Sequence, residues 1–546
     1  MKEYYPADLR IAIVGGGSAG WMCAAYMAKY LKDVRISVIE SPSVGTIDVG
    51  ESTGTHFATF INKLGIDVED MMRETGATYK LGTNYAGWTG KDSEDYFHFK
   101  FNQSNANFSK KIDKARKYKA KSIFDRLQLK HNHNIRDYIT VNKEDRLTDT
   151  FLSAYNSGQL KGFDDWHGWE SFSKLNKFPA ELFTQRSLQY AYHVNSEQLG
   201  KYLRDKVAMP AGVRHIQSHI TDIEYKKGSN AINYLLLEHG GFEVADLYID
   251  CTGFKRLLTS DRHTVQYDTP ANTAYVRQRD YNDPAQEMLN CTRAQAMNRG
   301  WTFEISLFHR QGTGYVTNSD RYPEQELIDE FVNHFKHTEE PRKLKWVPER
   351  LENQAKHNVV AIGISNGFIE PMDANMFGII ANGITNTVDT VRAQRSLLKT
   401  RSVDWTEQNK NMASIYDDVK DFILAHYTLS NRPGDFWEDM RAIGRSQNHA
   451  DMVRDKYMNP ANEFRHGDKQ SFFPDILWLQ LAINWGLDVS DWVKDKDSTD
   501  YVQYQLDTIG AIKRHSSKFP NNYIYLQNIY GMKSEDFKKK ILGDVD

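Results

Sequence analysis

The stretch Arg10–Gly20, RIAIVGGGSAG, restricts the fold more than any other part of the chain. The apolar run Ile11–Val14 leads into G-x-G-x-x-G at Gly15, Gly17 and Gly20. An apolar-periodic stretch, Trp21–Leu31, follows, and a second β-like run, Val34–Ile39, ends on Glu40, about 20 residues past the last glycine. Strand, glycine turn, helix, strand and acid in this register predict a dinucleotide-binding βαβ unit. The first glycine makes the tight turn, the second lets the backbone approach a pyrophosphate, and the third lets the helix settle on the strand. Ser18 and Ala19 then open a helix whose free N–H groups and positive dipole face the phosphates. Glu40 is placed to accept hydrogen bonds from a ribose. The pattern alone does not separate FAD from NAD.

A chain of 546 residues exceeds one simple core and predicts several modules. With 40% hydrophobic residues spread along its length it reads as globular, and a net charge of −3 argues against a general nucleic-acid binder. The three cysteines, Cys23, Cys251 and Cys291, form no C-x-x-C, so neither a disulfide framework nor a zinc site is expected. Residues Ile11–Ala28 carry no charge, but the glycines and the serine among them read as a βα turn and not a membrane span. MKEYYPADLR has no signal-peptide core. A soluble, cytoplasmic protein without membrane, nucleic-acid or metal partners is therefore expected. The basic run Lys110–Lys121 reads as a solvated face. His131 and His133 lack a visible third ligand and read as surface histidines.

Composition and periodicity suggest four segments. Residues 1–100 hold the first part of the nucleotide module, and residues 101–185, rich in Lys, Asn, Asp, Phe and Tyr, an insertion belonging to a substrate module. Residues 186–400 return to strand and helix patterns, with strands closing on Cys251–Gly253 and a buried run at Val359–Ile364. Residues 401–546 are helical and aromatic, with Trp405, Trp437, Trp478, Trp485 and Trp492. Lys80 stands out within the otherwise nearly uncharged Ala77–Trp88. A desolvated lysine has a lowered pKa and becomes a usable nucleophile or proton donor.

Six segments in order, GGGSAGW, VGEST (Val49–Thr53), GATYKLGTNYAGW (Gly76–Trp88), DCTGF (Asp250–Phe254), IGISNGFIEPMDANM (Ile362–Met376) and DFILAHYTLSNRPGDFW (Asp421–Trp437), resemble the flavin-dependent halogenases, the tryptophan-halogenase family. The resemblance covers about residues 8–440. It implies an α/β fold, an FAD-binding βαβ module of the flavin-monooxygenase type with a largely helical substrate-binding module. It assigns FAD contacts to Gly15, Gly17, Ser18, Ala19, Gly20, Glu40, Gly50, Glu51, Ser52 and Ile364. In that family reduced FAD, O2 and halide give hypohalous acid. A lysine, here Lys80, holds it as a haloamine or a hydrogen-bonded acid and delivers the halogen to an electron-rich aromatic.

Asp373, in Pro371-Met372-Asp373, stands where the family has a glutamate and would polarise hypohalous acid or take the ring proton. On the residues alone it reads equally as a helix N-cap. Halide would bind backbone N–H groups at Asn375 and Met376, where the family has Thr-Gly or Thr-Ser. Chloride, the most strongly hydrated of the three halides, depends most on a tight donor ring, and Met376 is polarisable, so bromide or iodide is expected in preference. Trp301, Phe303, Glu370 and Pro371 fall on the substrate side. Phe303 and Ser306 depart from the family's W-x-W-x-I-P, and loss of proline's fixed φ predicts a less rigid segment. A single dinucleotide fingerprint implies that a separate NAD(P)H-dependent flavin reductase supplies reduced FAD. Homo-oligomerisation is left open. The competing readings are an aromatic hydroxylase of the same fold, which would not need Lys80, and a non-catalytic binding protein on a degenerate FAD fold, against which the intact glycine motif and Glu40 argue.

Overall fold

The computed structural model describes residues 9–43, 49–90, 96–100, 152–160, 170–178, 190–444, 448–458, 472–492 and 510–542, apart from a few single or paired positions within these spans. The basic run Lys110–Lys121, His131 and His133 lie outside the described residues. The chain divides into two compact units. The first is Met1–Ala77, Tyr192–Ala274 and Arg342–Lys420, and the second Thr78–Ala191, Tyr275–Pro341 and Asp421–Asp546.

In the first unit the apolar runs flanking the glycine motif become β1 (Leu9–Val14) and β2 (Val34–Glu40), parallel and joined by helix α1 (Ser18–Tyr30). Parallel strands are covered on both faces and so are apolar on both; Ile11, Ala12, Ile13 and Val14 are all buried. The six-stranded sheet runs in the order Ala355–Lys356, Val359–Ala361, Leu247–Asp250, β1, β2, Arg214–Gln217. Only the edge pair Ala355–Lys356 and Val359–Ala361 is antiparallel. Ile11 lies opposite Leu247, and Tyr248 opposite Val359. This register brings the carboxyl ends of three parallel strands together. Each opens into a loop or tight turn: Gly15–Gly17, Cys251–Gly253 and Gly363–Ser365. The crevice outside such carboxyl ends is where open α/β sheets bind ligands.

The second unit is built on a mixed sheet in the order Thr273–Arg279, Gln311–Thr317, Gly300–Ser306, Thr292–Ala296, Gly82–Ala86, Tyr96–Lys100. Thr292–Ala296 runs parallel to Gly82–Ala86; its other neighbour, Gly300–Ser306, is antiparallel. Helix Glu324–Phe335 lays Leu327 and Phe331 on Tyr275 and Tyr315 of this sheet. The C-terminal part of the unit is helical: Asp435–Gly444, His449–Met458, Asp475–Asn484, Asn522–Tyr530 and Ser534–Leu542. Among the described residues no helix is long and apolar enough to cross a membrane, and no group of His, Cys, Asp and Glu could hold a metal ion.

Candidate active site

The three glycines of the motif have different surroundings. A Cβ on Gly15 would lie 2.3 Å from the Cys251 carbonyl oxygen, and its φ of +110° suits glycine. A Cβ on Gly20 would lie 1.9 Å from the Gly15 carbonyl oxygen. These two close the turn and seat the helix. At Gly17 a Cβ would meet nothing within 4 Å among the described residues. Gly17 is also the N-cap of α1 and offers no side-chain cap to the first N–H groups of the helix. A group with pyrophosphate chemistry fits that cradle. Glu40, at the end of β2, lies over Gly16 and bonds His215 Nε2 through Oε2 at 2.8 Å.

Other predicted contacts gather on the same unit. β3 (Glu51–Ser52) pairs with Ala191–Val194, setting Glu51 opposite Val194 and Ser52 opposite His193. Thr53 fixes that pairing through hydrogen bonds to Tyr192 by both N–H and hydroxyl. Gly50, at φ +105°, turns the chain into β3. Ala19 packs on Gly363, so the start of α1 and the loop carrying Ile364 are neighbours.

Sequence reasoning missed what holds these loops. Asp250 is fully buried and accepts five hydrogen bonds: from Thr252 N and Oγ1, Leu258 N, Thr259 Oγ1 and Ser365 Oγ. The Ser365 carbonyl in turn accepts from Arg256 Nε at 3.1 Å, and Arg256 also pairs with Glu349. One carboxylate thus fastens the DCTGF loop to the Gly363–Ser365 turn. The only signal in the sequence was an acid directly before C-T-G.

β3 also runs beside the turn Met372–Ala374. Here Asp373 and Ala374 both take left-handed backbone, at φ 57° and 56°. The helix Met376–Ala393 begins at Asn375, which has no side-chain cap bond to it. Asp373 is therefore not the N-cap that the pattern allowed. Asn375 donates Nδ2 to the Met372 carbonyl at 2.7 Å, while its buried Oδ1 has no hydrogen-bond partner among the described residues. Glu370 is buried and Pro371 half-buried just before this turn. The Trp346 indole holds the approach to it by donating to the Ile369 carbonyl at 2.6 Å.

Lys80, Trp301 and Phe303 belong to the second unit. Lys80 ends the strand Thr78–Lys80 with only 2% of its surface exposed. The flanking Tyr79 stacks on Phe178, with ring centroids 4.7 Å apart, and meets Tyr190 edge-on at 5.3 Å. The following amide, Leu81 N, donates to the Asn290 carbonyl, and Asn290 is itself clamped to Phe172 and Lys177. Burial pushes the Cys291 thiol up to about 12, an effect the nearby Lys80 charge opposes. Asn84 Nδ2 donates to Cys291 Sγ at 2.6 Å and Asn84 Oδ1 accepts from His98 Nδ1 at 2.5 Å. A polar row of Cys291, Asn84 and His98 thus belongs to the surroundings of Lys80, and no sequence motif announced it.

Trp301 and Phe303 are buried on strand Gly300–Ser306. The Trp301 indole donates to Tyr427 Oη at 2.7 Å, and the Phe303 ring covers Gly314, filling the space a Cβ would need there. Ser306, where the loss of proline predicts a looser segment, is tied to two other segments. Ser306 Oγ accepts from Leu289 N at 3.0 Å, and its carbonyl accepts from Thr78 Oγ1 at 2.5 Å. Hydrogen bonds to two other segments replace the constraint of the ring.

The family model described as "Tryptophan halogenase" matches residues 10–157 and 131–497. The chain belongs to that family. It is accordingly an enzyme, a flavin-dependent halogenase and oxidoreductase that uses FAD, O2 and halide on an aromatic substrate. Curated relatives include the 7-chloro-L-tryptophan 6-halogenase KtzR of Kutzneria sp., 28% identical over 454 residues that are 79% of this chain and 81% of that protein. The tryptophan 7-halogenase RebH of Lentzea aerocolonigenes is 27% identical over 82% of each chain. Among solved structures, a tryptophan halogenase from Shewanella frigidimarina superposes with a TM-score of 0.79 at 21% identity, covering 97% of this chain and 100% of that one. The flavin-dependent halogenase Xcc4156 from Xanthomonas campestris gives 0.73 at 23% identity, covering 95% and 98%. These likenesses confirm the α/β, FAD-binding fold read from the sequence, and the open cradle at Gly17 fits the cofactor that the family implies.

Proposed function

We propose that this halogenase makes hypohalous acid from O2 and halide and that Lys80 carries the halogen to an electron-rich ring, an indole or a phenol. When bound in reduced form, FAD supplies the two electrons that activate O2 toward halide. Gly15, Gly17, Ser18, Ala19 and Gly20 hold its pyrophosphate, Glu40 its ribose, and Gly50, Glu51, Ser52 and Ile364 line the remainder. The observation that carries the reading is the burial of Lys80. A lysine kept from water either attacks hypohalous acid, forming an N–X bond and releasing water, or holds the acid by a hydrogen bond. In both cases bulk water does not compete for the electrophile. Asp373 takes the proton from the halogenated ring.

The backbone at Asn375 and Met376 binds the halide, with bromide or iodide preferred to chloride. Glu370, Pro371, Trp301 and Phe303 shape the substrate side, and residues 101–185 and 401–546 complete a substrate module. The flavin module is centred on the first compact unit, Met1–Ala77, Tyr192–Ala274 and Arg342–Lys420, and not on the whole of 1–100 and 186–400. The single nucleotide fingerprint supports supply of reduced FAD by a separate NAD(P)H-dependent reductase. The names of the curated relatives, which act on tryptophan, support an indole within the substrate class.

Lys80→Ala tests the reading. With a reductase, halide and a panel of indoles and phenols, product should fall at least about a hundredfold. FAD binding and oxidation of reduced FAD should stay near the parent level. A variant that keeps half or more of its product removes Lys80 from the mechanism.

A further inference from the structure

Cys23 and Cys251 lie 228 residues apart in sequence, yet their sulfurs are 3.9 Å apart. Cys23 is on α1, one turn past Gly20, and is fully buried. Cys251 follows the strand Leu247–Asp250 and is partly exposed. Its carbonyl fills the space beside Gly15, and its Cβ would lie 3.7 Å from a Cβ on Gly20. The pair therefore sits directly behind the glycine turn. It joins the helix that opens the nucleotide cradle to the loop that Asp250 organises. Nothing in the proposed reaction uses either thiol.

We propose that Cys23 and Cys251 form a disulfide when met by an oxidant of the hypohalous-acid class, and that the bonded form holds FAD more weakly than the dithiol. Cys251, the less deeply buried residue of the pair, reacts first. Cys251 S–H and HOX give Cys251 S–X and water. The Cys23 sulfur then attacks Cys251 Sγ, the S–X bond breaks, an S–S bond forms, and the halide leaves with the Cys23 proton. The two sulfurs are oxidised by two electrons in total and the halogen is reduced to halide. The contact with Cys23, and then burial, push the Cys251 thiol up.

Bond formation must draw the sulfurs from 3.9 Å to about 2 Å. The rigid elements on either side, α1 and the strand end, have to move toward each other. Ala19, one turn before Cys23, already packs on Gly363, and the Cys251 carbonyl already packs on Gly15. The displacement therefore passes into the cradle itself. The proposed function enters only in naming the oxidant, which can also be added as a reagent.

Purified full-length protein, with and without FAD, is treated with one equivalent of hypobromite, alkylated, and digested without reduction for mass spectrometry. The expected product is a crosslinked peptide pair containing Cys23 and Cys251, with Cys291 left as the alkylated thiol. FAD fluorescence titration should show several-fold weaker binding that dithiothreitol restores. Cys23→Ser and Cys251→Ser should each abolish both effects. Separate alkylation or over-oxidation of the two cysteines, or a crosslink that leaves FAD affinity unchanged, overturns the proposal. Mapping of the parent protein decides the point even if a variant fails to fold. A parallel reaction with reduced FAD, O2 and halide separates the two readings. A crosslink formed by reagent but not in turnover with halide counts against release of hypohalous acid by the enzyme, while the pair itself stands.

Discussion

Two turns in the first unit each open a helix, and they reach their backbone conformations in opposite ways. At Gly15–Gly17 the positive φ falls on a glycine, so the turn carries no steric strain, and two of the motif's three glycines are enforced by backbone atoms within 2.3 Å of where a Cβ would sit. At Met372–Asn375 the positive φ falls on Asp373 and Ala374 in succession. Each such residue costs about 1–2 kcal/mol against its ordinary conformation. The first turn makes room for something to bind. The second holds two residues in a costly conformation, and on the proposed reading that strain positions the Asp373 carboxylate. Glycine advertises left-handed backbone in a sequence, whereas aspartate and alanine do not.

Substitutions at the two turns should therefore part company. The largest effect is expected from Gly20→Val, whose side chain would meet the Gly15 carbonyl. Loss of about 3 kcal/mol or more of stability, with FAD binding lost, should appear in thermal melts and flavin titration. Gly17→Val is its control. The same side chain placed in open space should leave the melting temperature close to that of the parent but weaken FAD at least about tenfold. A folded Gly20→Val that binds FAD normally would remove the steric half of the contrast.

A smaller effect, of opposite sign, is expected at the second turn. Ala374→Gly and Asp373→Gly should each raise stability by about 1 kcal/mol by relieving the left-handed strain. Only Asp373→Gly should also lose halogenation. If neither stabilises, the turn is not strained in solution. Smallest of all is the halide ratio. In competition at equal concentrations the parent should give mainly brominated or iodinated product, and Asn375→Thr with Met376→Gly should move the ratio toward chloride. A predominantly chlorinated product from the parent would put halide choice elsewhere.

Those contrasts also explain what could be read in advance. β1, α1, β2 and the parallel sheet were legible because burial on both faces leaves an uninterrupted apolar run and a tight βα turn demands glycine. Lys80 was legible through the family segment it sits in, and the uncharged stretch around it pointed to the burial observed. The turn at Asp373 looked like a helix cap because local sequence cannot report two left-handed residues in a row. Ser306 looked like a loss of rigidity because its partners, Leu289 and Thr78, come from other parts of the chain. Asp250 was invisible as an organiser for the same reason: Ser365 reaches it from 115 residues away.

That last arrangement has a consequence for how the molecule breathes. With five donors on one buried carboxylate, the segments 251–259 and 363–365 cannot open one at a time without leaving donors stranded in a dry interior. They form a single unit of local unfolding despite their distance in sequence. Amide protons of Thr252 and Leu258 should exchange with solvent at matching rates, and an Asp250→Asn substitution should speed both together.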